Sequence, residues 1–150
     1  MAKNVSLKIK KLVPTAILPQ YQTPGAACFD LHALHAGTVA AGDPKTFGTG
    51  LAFEVPNGHV LMIYSRSGHG FKNDMRLANC VGVIDSDYRG EVCVRLTNDQ
   101  GGPAARRVTI KTGDRIAQGM LVRIPGVDLV EADEISETER GAGGLGSTGA

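Results

Sequence analysis

The chain has 150 residues, 42% of them hydrophobic, and a formal net charge of +1 from 16 basic and 15 acidic side chains. At that length one domain can bury roughly 68–70% of its unfolded surface, so no second domain is needed to supply a core. The balanced charge excludes bulk electrostatic capture of nucleic acid or an anionic membrane, but leaves room for the local charge that a small anionic ligand requires.

In chain order, Val5, Leu7 and Ile9 alternate with Ser6, Lys8 and Lys10, the period of a half-buried strand. The opening carries no apolar run of the kind found in a secretory signal, and no stretch approaches a membrane span, which predicts a cytoplasmic location. The same two-residue period recurs at Leu51, Phe53 and Val55, at Val60, Met62 and Tyr64, at Val92, Val94 and Leu96, and at Val108 and Ile110. Turn signals separate these runs: Pro24-Gly25, Gly42-Asp43-Pro44, Pro56-Asn57-Gly58, Gly101-Gly102-Pro103, Lys111-Thr112-Gly113-Asp114 and Pro125-Gly126. Short strands punctuated this regularly predict an all-β fold, a β-sandwich or jelly roll, with one short helix placed within residues 68–78.

Residues 79–91 stand out. An apolar run reaches a dense polar knot of Asp85, Ser86, Asp87, Tyr88, Arg89 and Glu91, and hydrophobicity returns at Val92. That pattern predicts a β-hairpin with chemistry at its bend, against the plainer reading of a solvated turn. Cys28, Cys80 and Cys93 are odd in number and form no CxxC pair, so they are expected as free thiols at core or hairpin positions. A zinc site at Cys28, His32 and His35, completed by His59 or His69, is disfavoured because a strand would turn His32 and His35 to opposite faces; the histidines are expected at the surface. Residues 140–150 hold five glycines and little apolar surface, the composition of a mobile arm. Gly141, Gly143 and Gly146 satisfy G-x-G-x-x-G, yet too few residues follow for the helix a dinucleotide site needs.

Five segments in order, Pro24-Gly25-Ala26-Ala27-Cys28-Phe29-Asp30-Leu31, Arg66-Ser67-Gly68, the stretch from Asn79 to Glu91, Gly113-Asp114-Arg115-Ile116-Ala117-Gln118, and the glycine-rich stretch from Arg140 to Gly149, resemble the five motifs of the trimeric dUTP diphosphatases. The resemblance implies hydrolysis of dUTP to dUMP and pyrophosphate, by a homotrimer whose active sites combine segments of different subunits. It places Asp85 as the base that activates water, Asp87 in a supporting position, and Tyr88 under the deoxyribose where a 2′-hydroxyl would collide. Asn79, whose amide both donates and accepts, reads the base together with the main chain of Val83, Ile84 and Asp85 and with Cys93. Arg66, Ser67, Gly68 and Gln118 hold phosphates, while Asp30 and Arg115 support them; Arg115 and Asp114 suit a structural ion pair as well as a ligand contact. Arg140, Leu145 and Ser147 belong to the arm, expected to close over bound nucleotide from a domain spanning residues 1–139. Mg²⁺ is implied as well, held through substrate phosphates and waters and not by a protein cage.

Four residues depart from the family pattern: Leu145 replaces a phenylalanine that stacks on uracil, His69 and Phe71 are unusual beside the second motif, and Gly119 stands where an apolar residue is common. Two rivals remain. A dCTP deaminase needs a catalytic glutamate near the equivalent hairpin, for which Glu91 is available, and a non-catalytic nucleotide-binding protein could share the fold.

Overall fold

The computed structural model describes residues 5–145 and 147, and its regular secondary structure is short antiparallel strands with one helix. In chain order these are Lys8–Lys11 (β1), Phe29–His32 (β2), Gly37–Val39 (β3), Lys45–Gly48 (β4), Leu51–Glu54 (β5) and His59–Tyr64 (β6). The helix Ser67–Asn73 (α1) follows, then Met75–Leu77 (β7), Gly82–Ile84 (β8), Cys93–Asn98 (β9), Val108–Ile110 (β10) and Arg115–Arg123 (β11). A four-stranded sheet in the order β2-β11-β6-β8 and a three-stranded sheet β4-β9-β7 are joined by the pairs β1-β5 and β10-β3. The expected all-β architecture is the observed one.

Alternation marks the strands that have one wet face. In β9 the exposed Cys93 and Arg95 flank the buried Val94, and Leu96 follows it into the core. The nine-residue β11 escaped the period-two reading because it lies between β2 and β6, with Ile116, Ala117 and Gly119 all buried; a central strand covered on both faces does not alternate. The first strand is displaced from the sequence expectation: β1 begins at Lys8, where pairing to Glu54 starts, and Val5 lies exposed before it. The one short helix lies where it was expected, starting one residue earlier at Ser67, and ends at Asn73 because Asp74 turns left-handed at φ 50° and the chain re-enters a sheet as β7. Leu31, Leu51, Phe53, Leu61, Met75 and Ile116 lie at the centre of the core at 0–1% exposure, each contributing about 1.5–3 kcal/mol by its burial.

Gly119 on β11 has a packing reason. It pairs with Phe29 of β2, and a Cβ at this position would come within 2.6 Å of the Phe29 ring, which occupies the space a larger residue would need. The ring in turn meets Tyr21 edge-on, with centroids 5.8 Å apart. Beyond Arg123, residues 124–139 carry no strand or helix and are exposed, including Val127, Leu129, Val130 and Ile135.

Gly119→Ala is expected to destabilise the fold by about 1–3 kcal/mol, the usual penalty of overpacking, as measured by chemical denaturation. Pairing it with Phe29→Leu should recover part of the loss, because the obstructing ring edge is then removed.

Candidate active site

The knot of residues 85–91 joins two different sheets. The two flanking strands do not form the expected hairpin: β8 pairs with β6, whereas β9 pairs with β4 and β7. Gly82 permits this, since a Cβ there would lie 3.0 Å from Cβ of Ile63, and its absence lets β8 press onto β6. Val92, Val94 and Leu96 are drawn into the core alongside the other sheet. The arms therefore splay and enclose a cleft of about 260 Å³, with Asn79, Val83 and Ile84 facing Cys93 and Arg95, over apolar Ile63 and Leu77. Arg95 was missed in the sequence, although it lies two residues from Cys93 on the same face of a strand.

A second cleft of about 360 Å³ shares Val83, Ile84 and Cys93 with the first and is bordered by Asp85, Tyr88 and Glu91. Burial, and secondarily the charge of Glu91, pushes the Cys93 thiol up, so it meets this space as a neutral wall. Asp85 is exposed, and its carbonyl accepts the Tyr88 N–H at 3.2 Å; Asp87 is also exposed. Arg89 stiffens the bend by donating to the carbonyls of Ser86 at 2.7 Å and Tyr88 at 2.9 Å. The Tyr88 hydroxyl donates to the Glu91 carbonyl at 3.0 Å, folding the ring over Gly90, where a side chain would collide with it. The carboxylate of Glu91 accepts the Gly50 N–H at 2.7 Å, so it is engaged by main chain.

The phosphate candidates gather elsewhere, around Asp30. This carboxylate, with 8% of its side chain exposed, accepts from Arg66 Nε at 2.9 Å and from Arg115 Nη1 at 3.2 Å. Arg66 Nη1 and His69 Nε2 both donate to the Arg115 carbonyl, at 3.1 and 2.9 Å, which fixes the His69 tautomer with its proton on Nε2. Gln118 donates to the Ser65 carbonyl at 2.8 Å, and Ser65 Oγ accepts the Leu77 N–H at 2.9 Å. Ser67 and Gly68 are exposed in the first turn of α1, where main-chain amides have no intrahelical partner, and a Cβ on Gly68 would meet nothing within 4 Å.

Several expectations are corrected here. Asp114 and Arg115 do not pair with each other: Asp114 caps its own turn by accepting the Lys111 N–H at 2.7 Å, and Arg115 goes to Asp30. His32 is not a simple surface residue, since its Nδ1 is buried with no partner among the described residues. None of the three cysteines lies in the buried core: Cys28 is half-buried, and Cys80 and Cys93 are exposed. Among the described residues, no three His, Cys, Asp or Glu side chains converge as a metal site. Phe71 projects from α1 at 93% exposure, and nothing in the structure explains it.

In the arm, Arg140 Nε donates to the Gly143 carbonyl at 2.8 Å and the Ser147 N–H to the Gly144 carbonyl at 2.9 Å. Leu145 is fully exposed at φ 48°. Gly146 and residues 148–150 of the expected arm lie outside the described residues.

The candidates thus fall in three places. Ile84 pairs with Leu61, so Asp85 lies at the His59 end of β6, while Arg66 and Ser67 follow Tyr64 at the other. Asp85 thus falls opposite Val60, and the four steps from there to Tyr64, at about 3.3 Å each, put roughly 13 Å of strand and then Ser65 and Arg66 between it and Ser67.

The all-β fold, the cleft between β8 and β9 and the ordered motifs converge with direct comparison: the dUTPase family model matches residues 15–149, and the chain belongs to that family. It is 46% identical over 145 residues to the deoxyuridine 5'-triphosphate nucleotidohydrolase of Nautilia profundicola, covering 97% of this chain and 99% of that protein. Its counterpart in Helicobacter hepaticus is 42% identical over 99% of this chain and 92% of that protein. In fold, the chain superposes on the Staphylococcus bacteriophage 80alpha dUTPase with dUPNHPP at TM-score 0.87, with 24% identity, covering 98% of this chain and 100% of that one.

Asp30→Ala should cost about 3–5 kcal/mol, toward the lower end because 43% of the Arg115 side chain is exposed; denaturation would measure it. His32 supplies a pH test. Its imidazole is held below the ordinary value of 6.5 chiefly by burial, with Asp30 opposing and Arg115 and Arg66 adding to the effect. The unfolded chain therefore takes up the proton first on acidification, so stability is complete above 6.5 and declines as pH falls through that value toward the folded one. Melting temperatures followed from about pH 7 to 5.5 should drop less in His32→Gln than in the parent.

Proposed function

We propose that this chain hydrolyses magnesium-bound dUTP to dUMP and pyrophosphate, with the β8–β9 cleft taking the base and Asp85 activating the water. The observation that carries this reading is the wall the two clefts share: Val83, Ile84 and Cys93 line both the space bounded by Asn79 and the space bordered by Asp85 and Tyr88. Uracil presents acceptor, donor and acceptor along one edge. The Asn79 amide and the peptide groups of residues 83–85 can match it, with apolar Val83 and Ile84 lining the same cleft. Tyr88, held over Gly90, occupies the place where a 2′-hydroxyl would add bulk.

At the reacting centre a water oxygen bonds to the α-phosphorus, the bond to the bridging oxygen breaks, and pyrophosphate leaves. Asp85 accepts the water's proton, a role its exposed carboxylate can fill and an amide could not. Positive charge must offset the charge on the phosphates. Magnesium enters with the substrate, whose phosphates and waters supply its ligands. A deaminase reading is disfavoured because Glu91, the glutamate it requires, spends its carboxylate on Gly50.

The placing of Asp85 and Ser67 toward opposite ends of β6, with roughly 13 Å of strand between their levels, favours a shared site: one copy contributes the cleft and the general base, and a second contributes Arg66, Ser67, Gly68 and Gln118. A homotrimer satisfies this, with Arg140 and Ser147 closing over the triphosphate and Leu145 covering the base without an aromatic face.

The deciding experiment is pyrophosphate release from dUTP, dCTP, dTTP and UTP, with and without Mg²⁺: dUTP should be strongly preferred, and preference for dCTP would sink the reading. Asp85→Asn should bind dUTP yet lose about 10²- to 10⁴-fold in kcat, the contribution of a positioned general base. Ser67→Asp should also be inactive, because the new charge opposes phosphate while Ser67 is exposed and the fold is spared. Co-assembled Asp85→Asn and Ser67→Asp subunits should regain activity; mixtures as dead as their components would place the whole site within one chain.

A further inference from the structure

We infer that Glu91 is a positioning residue for the substrate loop, held by a receptor formed from Gly48, Thr49 and Gly50, and that this bend outside the five motifs helps set the choice of sugar. The inference rests on the functional reading above.

Glu91 Oε1 accepts the Gly50 N–H at 2.7 Å. The carboxylate lies where a side chain on Gly48 would be, since a Cβ built there would sit 2.5 Å from Oε1. Gly50 is at φ +68°, and its Cβ would lie 2.9 Å from Cβ of Ala16 and 3.0 Å from Cγ2 of Val13, so glycine is required at the donating position. The residue between them is equally committed: Thr49, 2% exposed, donates to the Val92 carbonyl at 2.7 Å and accepts the Leu51 N–H at 3.2 Å. Val92 returns its own N–H to the Leu51 carbonyl at 2.9 Å.

Glu91 is thus gripped through its carboxylate and, one residue on, through its chain. Its carbonyl is also the acceptor for the Tyr88 hydroxyl at 3.0 Å. A continuous run of bonds leads from Gly50 through Glu91 to the ring that faces the sugar. A carboxylate accepting a main-chain N–H in a partly buried place is a strong tie, and the missing side chain of Gly48 is what admits it. Loosening the tie lets Glu91 shift and carries the Tyr88 ring with it, while the Asp85 carboxylate keeps its chemistry.

Four variants test this. Glu91→Ala should raise KM for dUTP about ten-fold, the factor that loss of one charge-assisted hydrogen bond carries, and raise UTP turnover relative to dUTP while kcat changes little. Glu91→Gln should stay close to the parent, because its amide oxygen still accepts from Gly50. Gly48→Ala should reproduce Glu91→Ala by displacing the carboxylate, and the double variant should be no worse than either single one. Amide exchange at Gly50, read without any substrate, should speed up in Glu91→Ala and not in Glu91→Gln. The proposal is overturned if Glu91→Ala keeps the parental UTP to dUTP ratio or if Glu91→Gln is as impaired as alanine. If Glu91→Ala does not fold, an unchanged ratio in Gly48→Ala overturns it. Absence of any dUTP turnover in the parent would instead defeat the functional reading, and Gly50 exchange would still decide the tie.

Discussion

One buried carboxylate organises the region around Arg66, Ser67 and Arg115. Asp30 sits on β2 and holds Arg66, which follows β6, and Arg115, which opens β11. Those elements are stitched together by register, and the ionic node ties their charged ends to one another. Two guanidiniums sharing one carboxylate leave net positive charge at the site, so the arrangement both satisfies a buried anion and keeps unspent cationic character near Ser67. His69 adds a second tie by donating to the carbonyl that Arg66 also reaches, fastening α1 to the same node. The unsatisfied Nδ1 of His32 lies on the same strand as this carboxylate, on the residue paired with Arg115, where burial and nearby cations both oppose its protonation.

Much of this was legible in the order of the residues, and what was not has physical reasons. Strands with one dry face announced themselves at Leu51, Phe53 and Val55 and at Val92, Val94 and Leu96. The central β11 did not, because burial on both sides erases the alternation that pattern reading depends on. The polar knot at residues 85–91 was recognisable from composition, yet its topology was not: two runs flanking a tight bend suggest mutual pairing, and nothing local says that Gly82 will press against Ile63 and send the strands to separate sheets. Likewise, neighbours in sequence such as Asp114 and Arg115 invite a pairing that the structure refuses, since Asp114 is close enough to its own turn to cap Lys111. Long-range partners, 85 residues apart for Asp30 and Arg115, are beyond any local signal.

The residues that departed from the family pattern also divide on physical grounds. Gly119 is explained by the Phe29 ring, a compensation visible only when both strands are in register. His69 is explained by its bond to Arg115. Leu145 and Phe71 touch too little within one chain for packing to account for them. That contrast matches a protein whose interior is complete in a single copy while parts of its chemistry face outward.

β8 ends its sheet, with β6 on one side and no strand on the other among the described residues, so a short row of peptide groups is left without a partner beside the cleft. Proteins usually shorten or shield such an edge because any extended chain can add to it. Here the edge is only three residues long, too short to recruit a polypeptide but comparable in length to one face of a pyrimidine. The base would then stand in for a missing strand. On that reading the donor and acceptor pattern would be written in main-chain groups and insulated from substitution, leaving the side chains of β8 to bear only on the bulk a base carries at C5.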